Sequence, residues 1–78
     1  MKKADFHPTG YITITNVCTL LVQIVHEGGE FFVYSYFSYE GGESSPITKS
    51  VIKRNGRGNQ YFCKGRTRYY LADIMKLK

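Results

Sequence analysis

Two apolar runs parted by a pair of glycines limit this fold more than any other feature. Leu20-Leu21-Val22-Gln23-Ile24-Val25 is followed by Glu27-Gly28-Gly29-Glu30 and then by Phe31-Phe32-Val33-Tyr34-Ser35-Tyr36-Phe37-Ser38-Tyr39. Seven of the nine residues in 31–39 are β-branched or aromatic, which is strand composition. Glycine enters φ > 0 turn conformations without a steric penalty, so the two runs read as a β-hairpin closed at Gly28-Gly29. Residues 17–26 could also be read as a helix, capped by Thr15 or Asn16 and ended by Gly28. Val17, Thr19, Val22, Ile24 and Val25 are β-branched, however, and no polar helical face is left over. The strand reading is therefore preferred.

A two-residue turn fixes the register by counting. Ile24, Val22 and Leu20 then face Val33, Ser35 and Phe37 on one side. Val25, Gln23 and Leu21 face Phe32, Tyr34 and Tyr36 on the other. Both sides are apolar enough to bury. The hairpin is thus expected at the centre of a sheet, covered on one face by a helix or a second sheet. The competing expectation leaves Phe32, Tyr34 and Tyr36 exposed as a protein interface.

The remaining elements follow from local patterning. Residues 1–10 read as a flexible lead-in with a turn at His7-Pro8-Thr9-Gly10. Tyr11 to Thr15 alternates as a half-buried strand that Asn16 interrupts. Residues 40–46 are a Gly/Ser/Pro loop, and Ile47 to Arg54 alternates again as an edge strand guarded by lysines. Asn55-Gly56 and Lys64-Gly65-Arg66 mark turns around the short strands 60–63 and 67–71. An amphipathic helix is predicted near 72–77. The expected fold is a mainly β, single small domain over 1–78: an antiparallel sheet or barrel of about five strands with a short C-terminal helix. At 78 residues such a chain is marginal as a monomer, and a dimer would help it.

Charge is divided unevenly along the chain. Residues 1–43 sum to −3, whereas residues 44–78 carry nine Lys or Arg against Asp73, a net +8. Lys49, Lys53, Arg54, Arg57, Lys64, Arg66 and Arg68 all fall within 49–68, a span without Asp or Glu. Tyr61, Phe62, Tyr69 and Tyr70 interleave with them. Phosphates call for Lys or Arg and unstacked bases call for aromatic faces, so this span is the candidate site for RNA or DNA. Its expected residues are Lys53, Arg54, Arg57, Lys64, Arg66, Arg68, Tyr61 and Tyr69. The plainer reading is a solvated cationic face, with some of the aromatics packing a core. The alternative function is self-association, or an acidic protein partner, through Phe32, Tyr34 and Tyr36. Clustering of the seven cations on one face would favour nucleic acid. Their dispersal, with Tyr34 and Tyr36 exposed, would favour a protein.

Gly65-Arg66-Thr67-Arg68-Tyr69-Tyr70-Leu71-Ala72-Asp73-Ile74 resembles the wing-to-helix segment of MerR-type regulators and small excisionases. That resemblance implies basic and aromatic residues leading into a helix that starts near Asp73. The upstream region departs from the family, reading as strands where those proteins carry a helix-turn-helix, so the family's function is not carried over. In size and basic tail the chain is also similar to small accessory proteins of phages and mobile elements.

Other chemistries find little to build on. Cys18, Cys63, His7 and His26 have no paired spacing that pre-arranges metal ligands, so neither metal nor cofactor is expected. The Gly-Gly pairs lack the Lys and following helix of a phosphate loop, and no nucleophile has an evident base. A non-catalytic protein is expected. No apolar stretch approaches the ~20 residues of a membrane span, so no membrane partner is expected and the default location is the cytoplasm, with both cysteines as thiols.

Overall fold

The computed structural model describes residues 6–77. Eight strands alternate with short turns: β1 (Gly10–Thr15), β2 (Cys18–Glu27), β3 (Glu30–Tyr39), β4 (Thr48–Val51), β5 (Lys53–Arg54), β6 (Gln60–Lys64), β7 (Thr67–Tyr70) and β8 (Met75–Lys76). They form two antiparallel layers. The main sheet has the order β4-β3-β2-β1-β8, and the small sheet has the order β5-β6-β7. The mainly β reading of the sequence holds.

The central hairpin has the register that counting gives. Leu20 pairs with Phe37, Val22 with Ser35 and Ile24 with Val33; Leu21 pairs with Tyr36, Gln23 with Tyr34 and Val25 with Phe32. Gly28 and Gly29 have φ of 58° and 82°, so both turn positions are left-handed. That is the twist-matched turn that permits a two-residue connection. Residues 18–27 are strand, and Asn16-Val17 is the turn before them.

The core lies between the layers. Leu20, Val22 and Val33 from the main sheet and Phe62 from the small sheet are fully buried together. Ile12, Phe37, Ile52, Tyr69, Leu71 and Ile74 pack around them. Each fully buried aliphatic or aromatic side chain contributes about 1.5–3 kcal/mol relative to exposure. The layers are joined covalently by residues 48–54. This stretch pairs with β3 up to Val51, turns its apolar Ile52 into the core, and then pairs with β6 through Lys53 and Arg54. One predicted edge strand is therefore two short ones, one at the edge of each sheet.

The C-terminus corrects the helix expected over 72–77. Leu71–Asp73 make a single 3-10 turn, after which Ile74 is extended and Met75–Lys76 pair with β1. A helix of six residues cannot repay its nucleation cost alone. The open edge of β1 instead offers strand hydrogen bonds, and Ile74 gains the core. The segment resembling MerR-type regulators is thus strand, turn and strand, with no helix starting at Asp73.

Of the predicted flexible lead-in, residues 1–5 lie outside the described residues. Residues 6–9 are docked on the sheet. Phe6 is buried and meets the edge of the Tyr36 ring at 5.1 Å. The His7 backbone N–H donates to Gln23 Oε1, and the Thr9 N–H donates to the Val22 carbonyl. Among the described residues no helix is long and apolar enough to cross a membrane.

Candidate nucleic-acid interface

The outer face of the small sheet follows from its register. Lys53 pairs with Tyr61, Tyr61 with Tyr70, and Cys63 with Arg68. Residues directly opposite share a face, so Lys53, Tyr61, Cys63, Arg68 and Tyr70 all point away from the core. Phe62, Lys64 and Tyr69 have the opposite parity and point between the layers.

The outward groups are mutually ordered. The Arg68 guanidinium lies 4.2 Å from the centre of the Tyr61 ring, a cation–π contact. Tyr61 and Tyr70 sit 5.7 Å apart, centroid to centroid. The neighbouring Tyr70 hydroxyl holds Arg68 more firmly in its charged form. In turn Arg68, together with the Asn55 side chain and the Arg57 charge, favours the Tyr70 phenolate and lowers that pKa.

Arg57 is presented by a preorganised loop. Asn55 Oδ1 accepts from the backbone N–H of Arg57 and of Asn59, and Gly58 closes the turn with φ of 84°. Between this loop and the 3-10 turn opens a concavity of about 880 Å³, with Arg57, Gln60, Tyr70 and Asp73 among its walls.

Two residues expected in this site are elsewhere. Lys64 is only 9% exposed. Its amine donates to the Ser35 carbonyl at 3.1 Å and to Thr48 Oγ1, and lies over the Phe37 ring at 5.3 Å. Burial disfavours the ammonium and lowers its pKa. Tyr69 stacks toward Phe62 at 5.6 Å and packs on the core. Lys64 is thus spent inside the molecule, and Tyr69, half-buried, turns toward the core rather than onto the outer face.

The seven cations are therefore partly gathered and partly dispersed. All four arginines belong to the small sheet and its turns: Arg54 on β5, Arg57 after it, Arg66 in the β6–β7 turn and Arg68 on β7. Lys53 joins them. Lys49 instead lies on the outer face of the main sheet, paired with Glu27 at 3.1 Å and 4.1 Å from the centre of the Phe32 ring. The hydrogen bond to Glu27 raises its pKa.

Tyr70 is the residue that the sequence reading left out of the site. The signal was present. Applying the Gly28-Gly29 counting to the Gly65-Arg66 turn pairs Lys64 with Thr67 and hence Tyr61 with Tyr70, which sends Tyr69 inward.

Phe32, Tyr34 and Tyr36 do share one surface, the outer face of the main sheet, and each is half-buried. The Tyr34 hydroxyl reaches Glu27 at 3.5 Å. Cys18 is a buried free thiol and Cys63 an exposed one. Among the described residues no cluster of three or more His, Cys, Asp or Glu could hold a metal ion. Comparison with known proteins finds no family model, no curated protein and no solved structure that matches the chain.

Proposed function

We propose that this protein is a non-catalytic module that binds single-stranded RNA or DNA on the outer face of its small sheet. One observation carries the reading: Arg68, Tyr61 and Tyr70 form an ordered cation–aromatic cluster, with Lys53 on the same face and Arg57 beside it. Lys53, Arg57 and Arg68 neutralise phosphates, with Arg66 reaching from the turn as a fourth; Arg54 pairs with Gln60 and so has the opposite parity, off this face. Tyr61 and Tyr70 offer ring faces to bases, and Arg68 can slide from the Tyr61 face to a phosphate as a base replaces it. Asp73 repels phosphate from the far wall of the concavity, which steers the strand toward the arginines.

The test is binding of a fluorescent oligonucleotide across a salt series. Four phosphate contacts predict a log–log salt slope near about −3 for a single strand, and each contact removed lowers its magnitude by about 0.7. Arg57→Ala and Arg68→Ala should each weaken binding and flatten that slope. Tyr61→Ala should cost about 1–3 kcal/mol, the range for loss of one stacked base. Affinity that does not change between low and high salt would end this reading.

A further inference from the structure

The concavity between the 55–60 loop and the 3-10 turn contains a group that phosphate binding does not use. Asp73 is the sole acid among residues 44–78. It lines the same hollow as Arg57 and Tyr70. Its side chain is exposed, and among the described residues it has no hydrogen-bond or ion-pair partner. A lone carboxylate on an open surface is ordinary. Set beside a cation and an aromatic ring in an otherwise basic segment, it disfavours a ligand that brings negative charge alone. Arg57 disfavours one that brings positive charge alone. The ligand that suits all three groups combines an anion, a flat ring and hydrogen-bond donors on the ring's edge.

Both walls are fixed before anything binds. On the loop side, the Asn55 N–H donates to the Asn59 carbonyl and the Gly58 N–H to the Asn55 carbonyl, in addition to the two bonds that Asn55 Oδ1 accepts. On the other side, the Ile74 N–H donates to the Leu71 carbonyl, and the Ile74 side chain is packed on the core. Asp73 therefore sits on a turn that is closed and anchored. The volume, about 880 Å³, lies in the range of small-ligand clefts, about 300–1,000 Å³.

We infer that this hollow takes one guanine of the bound strand, which stacks on Tyr70 and donates from N1–H and N2–H2 to the Asp73 carboxylate. A guanine subsite presupposes the single-strand site proposed above and adds base choice to it. The donor pattern makes the selection. The Watson–Crick edge of guanine carries two donors side by side, which match the two oxygens of a carboxylate. Adenine and cytosine each offer one amino group beside a ring nitrogen acceptor, which a carboxylate repels. Uracil and thymine offer one N–H between two carbonyls. Single strands leave these edges free to be read. Arg57, on the loop side, remains for the phosphate, so position and base are read by different walls.

The test uses the full chain and fluorescent single strands of thymidine or uridine, each with one central guanine, inosine, adenine or cytosine, at one low salt concentration. The guanine strand should bind about fivefold to a hundredfold tighter than the adenine, cytosine and unsubstituted strands, the range for one good bidentate contact. Inosine, which keeps N1–H and lacks the N2 amine, should fall between. Asp73→Asn should keep the far-UV circular dichroism spectrum, raise affinity for every strand by removing repulsion, and erase most of the difference between bases. A carboxylate that acts by repulsion alone would raise all affinities equally and keep their ratios. Inosine that binds as well as guanine, or a guanine preference that survives Asp73→Asn in folded form, overturns the subsite. Equal affinity for all bases overturns it and leaves the single-strand reading standing, whereas no binding of any strand overturns both.

Discussion

Lys64 shows how far a basic residue can be from a basic surface. Its ammonium sits between the sheets on a carbonyl and a hydroxyl, with no acid among its hydrogen-bond partners. Replacing an uncompensated buried charge by an apolar side chain of similar length is often neutral or stabilising. Lys64→Met should therefore leave the thermal midpoint unchanged or raised, and oligonucleotide affinity unchanged. A tenfold loss of binding in a folded Lys64→Met protein would return the residue to the interface. The pH dependence has a definite sign. The folded pKa is lowered, so the unfolded chain holds more proton between that value and the ordinary 10.5. The burial penalty is complete below the folded pKa and is relieved as pH rises through the window. Denaturation midpoints measured across alkaline pH should show this rise in the wild type and less of it in Lys64→Met.

At the scale of elements, a close approach pins the last strand. Gly10 is buried where β1 lies between β2 and β8. A Cβ there would collide with the Ile74 side chain and stand 2.9 Å from the Met75 carbonyl oxygen. Gly10→Ala should cost about 1–3 kcal/mol, the usual range for overpacking, and hydrogen exchange should show β8 released first. Little of this was visible in the sequence, where Gly10 read only as part of a turn. The hairpin was legible because two long apolar runs and two glycines leave a single register. The small sheet was legible as strands but not as faces, since its parity depends on one turn length. The C-terminal helix was misread because Ile74 and Met75 give the 72–77 segment an apolar side that a helix could turn to the sheet. The open β1 edge that captures them is formed by residues more than fifty positions earlier, and no local pattern reports it. In the same way, the burial of Lys64 is decided by Ser35 and Thr48, which are distant in sequence.

For the whole molecule, salt should weaken oligonucleotide binding while sparing the apolar core between the sheets, so one titration separates affinity from stability. The stretch from Thr48 to Arg54 adds a mechanical consequence. Because it is a member of both sheets, with Ile52 as the corner between them, neither layer can peel away while the other stays whole. The protein should melt as one cooperative unit, with tyrosine fluorescence and far-UV circular dichroism giving superimposable curves. Tension on the arginine-bearing ribbon would travel along the chain itself into β4, a hinge of covalent bonds rather than a dissolvable contact.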